Sequence, residues 1–315
     1  MVNEVQSLTG DAAVAPKAKK GLRITSLLDH EVLQRAERLR LNPLRRLTNR
    51  ARGEHLQGRA GSSIDFADYR NYTVGDDIRY VDWNIFARLN RPYLKLFQHE
   101  EEMHIVLLVD ASSSMQFEQK FERARQLAAA FGVMGLMNLE RVSAYAFNQR
   151  DSRITMLRPC SGRVSMHKLF GFLESIECGG DAQIEEAVDL MLGRHRGRGI
   201  AILLSDFLTY ADLRRSFNLI FSAGLEIFAL QVLGPSELDP EIIGDLRMVD
   251  SESGRTLDVS AAGDLVGMYQ EYRRAFERRL DSLTKQRSGR FLTVSSDSGV
   301  RHLLFDTLRR RGWIV

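Results

Sequence analysis

The sequence has little cysteine and proline and no long apolar run. It holds two cysteines, Cys160 and Cys178, and 6 prolines among 315 residues. Two cysteines in no metal-ligand spacing indicate thiols of a reducing compartment, although the sequence leaves a disulfide between them open. No segment approaches the roughly 20 apolar residues of a transmembrane helix, and residues 1–20 lack the apolar core of a signal peptide. We therefore expect a cytoplasmic protein without a membrane span.

A strong charge of either sign is also missing. Lysine and arginine total 44 and aspartate and glutamate 41, which gives a net charge of +3 at pH 7 with neutral histidines. Such a balance does not favour nucleic acid as a partner. The stretch from Arg35 to Arg59 is rich in arginine but has no interleaved aromatic residues. We interpret it as a solvated helix face or as a surface for an acidic or phosphate-bearing partner.

Length and composition predict one large domain with an appended segment. Hydrophobic residues make up 44% of the chain and charged residues 27%, which is ordinary for a globular protein. Residues 1–20 are small and polar, and we predict a disordered tail there. We assign residues 21–100 to an N-terminal extension with a helix and a small β-containing part, and residues 101–315 to an α/β domain.

The stretch from His104 to Met115 organises the rest of the chain. Residues 105–109 are short, rich in β-branched side chains and apolar on both alternating faces. This pattern predicts a central strand covered by helices on both sides. From Phe121 onward the apolar residues return at helical spacing. The polar loop between the two therefore follows the carboxyl end of a strand, where open α/β sheets bind ligands.

Asp110, Ser112 and Ser114 supply hard oxygen donors in this loop. Their Asp-x-Ser-x-Ser spacing puts one carboxylate and two hydroxyls on the same side of a tight turn. Such a set suits Mg²⁺, with Mn²⁺ or Ca²⁺ as alternatives. Aspartate and serine are also the preferred residues for capping a helix. Taken alone, the loop favours capping over metal binding.

Two later segments favour the metal. Residues 199–207 form a second apolar strand that ends at Asp206, and a Cys-Gly-Gly-Asp turn ending at Asp181 precedes another helical pattern. If the two strands are parallel neighbours, Asp110, Asp206 and Asp181 converge at one edge of the sheet. Three carboxylates brought together in this way would repel one another unless a cation lay between them.

In this order, the loop, the glycine-led turn and the strand-end aspartate resemble the metal-ion-dependent adhesion site of von Willebrand factor A domains. The resemblance implies that Ser112 and Ser114 bind the cation directly. It implies further that Asp110, Asp206 and Asp181 bind directly or through water. Asp181 stands where that family usually has threonine. The substitution adds a negative charge and could fill the position normally left for a partner's acid.

A second block resembles the signature of the bacterial family called domain of unknown function 58. It runs from Asp65 to Arg88 and places acids and arginines among aromatic residues. Members carry it before a von Willebrand A-like domain and are typically encoded beside MoxR-type AAA+ ATPases. The resemblance implies such an ATPase as partner and another protein as the client that is assembled or matured.

We expect the charged side chains of this block to form interlocked ion pairs that dock it on the main domain, with a catalytic role as the weaker alternative. The residues assigned to it as partner-binding or structural are Arg70, Gly75, Asp76, Arg79, Asp82, Trp83 and Arg88.

Beyond the central loop, strands alternate with helices. This order predicts a doubly wound, mostly parallel sheet, Rossmann-type and von Willebrand A-like, with right-handed crossovers. The predicted strands are 105–109, 141–147, 154–157, 199–206, 226–232 and 290–294, with a hairpin of 247–249 and 256–259. The predicted helices are 121–139, 164–176, 184–192, 212–221 and 265–283, followed by a basic helix that ends near Arg311.

Three functions fit these patterns. We predict a metal-ion-dependent protein-interaction module that is not an enzyme. The alternative is a metal-dependent hydrolase or phosphotransferase that uses the same carboxylates, although the sequence has no Gly-x-Ser-x-Gly, His-Glu-x-x-His or Walker lysine pattern. The third possibility is a scaffold that binds no metal. If the metal binds, Asp110→Ala or Asp206→Ala is expected to change stability only in the presence of Mg²⁺.

Overall fold

A computed structural model describes most of the chain. It covers residues 25–44, 48–49, 64–100, 103–147, 154–180, 184–208, 212–240, 246–249, 256–259 and 262–315. The predicted tail of residues 1–20 and the predicted metal ligand Asp181 lie outside these ranges.

The strands form one large sheet and two small ones. In chain order, the strands in the described residues are β1 (Thr48–Asn49), β2 (Ile64–Asn71), β3 (Tyr93–Glu100), β4 (His104–Asp110), β5 (Arg141–Phe147), β6 (Thr155–Cys160), β7 (Gly199–Ser205), β8 (Leu225–Leu233), β9 (Leu246–Val249), β10 (Thr256–Val259) and β11 (Arg290–Ser295). The large sheet has the order β11-β8-β7-β4-β5-β6. All its neighbouring strands are parallel except β5 and β6, which pair antiparallel at the edge.

The described residues form helices on both faces of this sheet and in the connections between strands. These helices are α1 (His30–Ala36), α2 (Trp83–Leu89), α3 (Lys120–Met137), α4 (Met166–Glu174), α5 (Ile184–Arg194), α6 (Leu213–Ser222), α7 (Pro235–Leu238), α8 (Ala262–Lys285) and α9 (Val300–His302), which continues as the π-helical turn Leu303–Leu308. Single 3₁₀ segments span Ile78–Tyr80, Ser113–Gln119 and Arg163–Ser165.

Strand β4 lies in the middle because it is apolar on both faces. Ile105, Leu107 and Val109 belong to a core that α1, α3, α4 and the segment after α9 complete. Val106 and Leu108 belong to a second core with residues of α5, α6 and α8. The alternation of side chains along a strand thus feeds two separate cores, as a doubly wound sheet requires.

Helix α3 packs closely on the sheet because two of its positions lack a side chain. A Cβ atom at Gly135 would overlap the side chains of Ile105 and Val142, and one at Gly132 would overlap Leu169. The later part of α3 thus packs tightly against β4, β5 and α4. Its first residue, Lys120, contacts Asp206 directly after β7, where the predicted site lies.

The extension and a later hairpin form the two small sheets. Strands β1, β3 and β2 form a three-stranded antiparallel sheet, with α2 in the connection between β2 and β3. Strands β9 and β10 form the predicted hairpin. Among the described helices, none is both long and apolar enough to cross a membrane.

The predicted fold class is confirmed. The sheet is mostly parallel and doubly wound, an N-terminal helix precedes it, and the extension contains β-structure. Element ends differ from the predicted ones by a few residues, which is the usual uncertainty at helix and strand termini.

Candidate metal centre

Asp110 joins the carboxyl ends of the two central strands. Strands β4 and β7 are parallel neighbours, so Asp110 at the end of β4 lies level with Ser205 at the end of β7. The Ser205 hydroxyl donates to Asp110 Oδ2 at 2.5 Å, and the backbone N–H of Ser112 donates to Oδ1 at 2.9 Å. The buried carboxylate therefore fixes both the sheet edge and the first turn of the loop.

The two loop serines extend this arrangement to Asp206. The hydroxyl oxygens of Ser112 and Ser114 lie 2.9 Å apart, and Ser114 Oγ donates to Asp206 Oδ2 at 2.7 Å. Asp206 is 1% exposed, and its Oδ1 accepts from the backbone N–H of Leu208 at 3.0 Å. The structure thus brings together Asp110, Ser112, Ser114 and Asp206, which are four of the five predicted metal ligands.

The glycine-led turn lies against the same loop. The Gly179 N–H donates to the carbonyl of Ala111 at 2.7 Å, and Ser112 and Gly180 form an isolated parallel bridge. Gly179 has φ +126°, a conformation that side chains disfavour, so glycine is required for the turn. Asp181 directly follows Gly180 and lies outside the described residues.

Cys178, on this turn, donates from its thiol to the Ser112 carbonyl at 3.0 Å. Burial, with the nearby carboxylates Asp110 and Asp206, raises the pKa of Cys178 to about 12. The thiol therefore stays protonated at neutral pH and acts here as a hydrogen-bond donor. A reactive thiolate would need the opposite surroundings.

A lysine that the sequence patterns did not single out completes the described site. Lys120 is the first residue of α3 and is 0% exposed. Its Nζ lies 2.9 Å from Asp206 Oδ2 and 2.7 Å from Glu237 Oε1 in α7. Burial lowers the pKa of Lys120, but the charges of Asp206 and Glu237 outweigh it, so that the pKa lies above its ordinary value. Lys120 is therefore a buried ammonium ion.

Glu118 holds the segment between the serines and Lys120. Its carboxylate accepts from the backbone N–H of Ser236 at 3.1 Å, and its carbonyl accepts from the Ser296 hydroxyl at 2.6 Å. Glu118 and Gln119 have φ +46° and +59°, a left-handed conformation that non-glycine residues adopt only when contacts enforce it. These contacts set the position from which Lys120 reaches Asp206.

The described oxygens fit a small divalent cation. Neighbouring oxygens around an octahedral Mg²⁺ lie about 3.0 Å apart, because each is about 2.1 Å from the ion at right angles. The hydrogen bonds of 2.9 Å between Ser112 Oγ and Ser114 Oγ and of 2.7 Å between Ser114 Oγ and Asp206 Oδ2 bring these oxygens close to that spacing. Among the described residues, no three histidine, cysteine, aspartate or glutamate side chains form a metal-holding group. The predicted set depends instead on two hydroxyls and on Asp181.

The alternative role of the loop as a helix cap receives no support. Helix α3 begins at Lys120, six residues after Ser114, and its N-cap residue is Gln119. Within the described residues, Ser112 precedes the short 3₁₀ segment without a capping bond from its side chain. The two hydroxyls are directed to each other and to Asp206 instead.

A hydrolase that used a loop serine as its nucleophile would gain no base from these described groups, whereas the predicted alternative, which uses the carboxylates, stays a prediction. Such a nucleophile needs a base beside it. Lys120 is held as an ammonium ion by two carboxylates. The buried histidines His104 and His195 interact with each other at the amino end of β4, opposite the site.

The signature block forms ion pairs within the extension. Arg70 holds both carboxylate oxygens of Asp76, with Nη2 at 2.5 Å from Oδ1 and Nη1 at 2.8 Å from Oδ2. Arg70 lowers the pKa of Asp76 well below its usual range, and Thr73 adds to this effect. Arg79 pairs with Asp77 at 2.6 Å. Gly75, with φ +107°, makes the turn that carries Asp76.

Asp82 organises the second half of the block. It caps α2 by accepting from the backbone N–H groups of Asn84 and Ile85, and it also pairs with Lys95 in β3 at 3.1 Å. Lys95 is the main cause of the lowered pKa of Asp82. Trp83 is 59% exposed, and Arg88 in the same helix is also exposed. These described contacts join residues of the signature block to one another and to β3, and the docking of the block on the main domain stays a prediction.

Three residues of the described site were not predicted from the sequence: Lys120, Glu237 and Ser205. Ser205 precedes Asp206 at the end of β7 and could have been found from its register with Asp110. Lys120 and Glu237 are 117 positions apart, and each stands among polar residues at a helix start. No local pattern distinguishes such residues from surface charges.

Comparison with known proteins places the chain in a family. The family described as protein of unknown function DUF58 matches residues 68–283. The uncharacterized protein Rv1480 of Mycobacterium tuberculosis and the uncharacterized protein Mb1516 of Mycobacterium bovis are each 28% identical over 223 residues, which is 69% of this chain and 69% of theirs.

Among solved structures, the conserved hypothetical protein BatB from Bacteroides thetaiotaomicron aligns with a TM-score of 0.41 and 14% identity, over 67% of this chain and 98% of that chain. Proximal thread matrix protein 1 from the mussel byssus, in a structure with a zinc-occupied MIDAS motif, aligns with a TM-score of 0.31 and 16% identity, over 42% of this chain and 38% of that chain. Likenesses at these TM-scores carry no argument about function.

Proposed function

The chain belongs to the DUF58 family of proteins of unknown function, and from this premise we propose that it is a metal-ion-dependent protein-interaction module. The observation that carries the proposal is the convergence of Asp110, Ser112, Ser114 and Asp206 at the carboxyl ends of β4 and β7. Hard oxygen donors in such a set suit Mg²⁺, with Mn²⁺ and Ca²⁺ as alternatives.

The cation would give the site charge complementarity toward an acidic partner. Asp110 and Asp206 are buried and acidic, and the ammonium of Lys120 that pairs with Asp206 is 0% exposed, so these residues present no positive charge to a partner's carboxylate. A divalent cation held by Ser112 and Ser114 supplies the positive charge that attracts it. The resemblance to von Willebrand factor A domains assigns the same roles. Asp181 is the fifth proposed ligand, and its extra carboxylate decides how much of the coordination sphere stays open.

We infer the partner from the family resemblance. The chain would work with a MoxR-type AAA+ ATPase in the assembly or maturation of a client protein, and it would do so in the cytoplasm. The signature block, with its exposed Trp83 and Arg88, offers a second contact surface for the same ATPase. On this proposal the chain is an adaptor and not an enzyme.

Co-purification tests the proposal. Tagged wild-type protein and the Ser112→Ala/Ser114→Ala variant are recovered from the native cell, each with Mg²⁺ and with EDTA, and bound proteins are identified by mass spectrometry. We expect an AAA+ ATPase with the wild type in Mg²⁺ and a strong loss in the other three conditions. The variant Ser222→Ala/Ser282→Ala, which changes two exposed helical serines, is the matched control and should behave as the wild type.

Two other outcomes would contradict the proposal in different ways. Equal recovery of the ATPase in all four conditions would keep the partner but place the contact elsewhere, for example on the signature block. Recovery of no ATPase in any condition would remove the partner assignment.

A further inference from the structure

Lys120 occupies an unusual place for a lysine. Its side chain is 0% exposed, and its ammonium lies between two carboxylates from separate elements, Asp206 after β7 and Glu237 in α7. Burying an ammonium ion is costly unless it is paired and hydrogen-bonded. The contacts of Glu118 with Ser236 and Ser296 hold the chain just before it. Lys120 is therefore built into the site as a buried, doubly paired ammonium ion.

The ammonium shares an oxygen with the proposed metal site. Asp206 Oδ2 accepts from Ser114 Oγ at 2.7 Å and from Lys120 Nζ at 2.9 Å. A divalent cation bound by Ser114 and Asp206 would therefore meet a positive charge already placed on the same carboxylate. The ammonium and the divalent cation would repel each other strongly, because both would contact one buried carboxylate and water would not screen their charges.

Glu237 gives Lys120 a second partner. Glu237 Oε1 accepts from Lys120 Nζ at 2.7 Å, and Glu237 Oε2 accepts from the Gly234 N–H at 2.7 Å. If a cation takes over Asp206, Lys120 keeps one ion pair and does not become an unpaired buried charge. The arrangement can thus pass between two states in which every buried charge has a partner.

We propose that Lys120 is the resident cation of the site. It neutralises Asp206 when no divalent ion is bound, which keeps the empty site folded, and it lowers the affinity for the divalent ion, which makes loading reversible. The inference rests on the proposed metal site and adds to it a residue that sets cation affinity. Lys120 acts here as a positioning and affinity-setting residue, through Asp206.

The test measures cation binding directly. Wild type and Lys120→Met are titrated with Mn²⁺ and Mg²⁺ by calorimetry, and thermal unfolding is followed in EDTA and in Mg²⁺. We expect Lys120→Met to bind Mn²⁺ at least about tenfold more tightly, because the competing charge is gone. In EDTA it should unfold at a lower temperature than the wild type, and Mg²⁺ should raise its midpoint by more than it raises that of the wild type.

Two further variants separate the causes. Lys120→Met/Glu237→Gln also removes the carboxylate that the single variant leaves unpaired, so it tests the same affinity gain in a chain with less strain on folding. Lys285→Met removes an exposed lysine that pairs with Asp281 in α8, and it controls for the change in net charge. We expect the double variant to bind Mn²⁺ more tightly than the wild type and Lys285→Met to equal the wild type.

The outcomes distinguish this inference from the proposed function. Cation binding by the wild type with equal or weaker binding by both Lys120 variants would overturn the role of Lys120 and leave the metal site standing. Absence of binding in all the proteins, with each of them folded, would overturn the metal site and the inference together.

Discussion

The two ends of β4 are both polar and buried, yet they differ in charge. At the amino end, His104 meets Ser143 and His195 through neutral groups. At the carboxyl end, Asp110 lies in a cluster with Asp206, Lys120 and Glu237. The carboxyl end therefore holds an ion pair of one ammonium with two carboxylates, because Lys120 pairs with both Asp206 and Glu237.

At the amino end of β4, the polar groups of His104, His195 and Ser143 are satisfied by neighbouring hydrogen-bond partners. His195 Nε2 lies 2.7 Å from the Gly197 carbonyl, which can only accept, so this nitrogen carries the proton. His195 Nδ1 then accepts from His104 Nδ1 at 2.9 Å, and His104 Nε2 accepts from the Ser143 hydroxyl at 2.9 Å. Two neutral imidazoles complete a chain in which each donor has an acceptor. The comparison teaches that neutral buried groups at one end of β4 are joined by hydrogen bonds alone, whereas the other end joins its groups through buried charges, which a cation could rearrange.

Removing Asp206 should disrupt the charged cluster at the carboxyl end of β4 and lower the free energy of unfolding more than the other changes described below. Asp206→Ala takes one of two partners from a fully buried ammonium, and such losses cost about 3 kcal/mol of unfolding free energy. We expect this loss in EDTA as well as in Mg²⁺, because Lys120 depends on Asp206 in both. The sequence analysis expected an effect in Mg²⁺ alone, and the Lys120 contact changes that expectation.

Urea unfolding measures the effect of Asp206→Ala. Asp281→Ala, which removes the partner of the exposed Lys285, is the matched control and should change stability little because exposed pairs are worth little. A stability of Asp206→Ala in EDTA equal to that of this control would contradict the buried ion pair.

Lowering the pH should destabilise the histidine cluster at the amino end of β4, with a smaller effect on the free energy of unfolding than Asp206→Ala. Burial, with the charges of His195 and Arg141, lowers the pKa of His104 to about 4, and burial also lowers the pKa of His195. A histidine whose pKa is lower in the folded than in the unfolded protein is protonated first in the unfolded protein as the pH falls. Its contribution to the free energy of unfolding is therefore complete above about pH 6.5 and is lost as the pH falls toward 4. We expect a loss of about 2 kcal/mol across this window from His104.

The pH dependence of unfolding free energy in the variant His104→Gln checks this expectation. Its slope between pH 6.5 and 4.5 should be shallower than that of the wild type, while His167→Gln, at an exposed helical position, should keep the wild-type slope. Parallel profiles for His104→Gln and the wild type would show that His104 does not titrate with unfolding.

The convergence of the four described candidate ligands could be predicted from sequence for a physical reason. Asp110 and Asp206 each end an apolar strand, and the carboxyl ends of parallel neighbours meet at one edge. Ser112 and Ser114 follow Asp110 within a short loop, so their place depends on local geometry alone. The apolar strand patterns and the spacing of the loop residues therefore predict both the fold class and this part of the candidate site.

The partners of the buried charges could not be predicted in the same way. Lys120 pairs with Asp206 and Glu237, which are 86 and 117 positions away, and His104 meets His195 at a separation of 91. Such pairs depend on the order of strands in the sheet and on how loops return to it. The sequence showed charged residues at helix starts and strand ends, but periodicity does not say which of them face one another.

The measurement that tests the central claim most directly is calorimetric titration of Mg²⁺ into the wild type and the Ser112→Ala/Ser114→Ala variant in metal-depleted buffer. The two substitutions remove neutral hydrogen bonds, so their effect on stability in EDTA should be the smallest of the set, about 1 kcal/mol. We predict that the wild type binds Mg²⁺ and that the variant binds at least about tenfold more weakly, because two direct oxygen ligands are lost. Equal binding by the two proteins, or no binding by the wild type, would contradict a cation site at the carboxyl ends of β4 and β7.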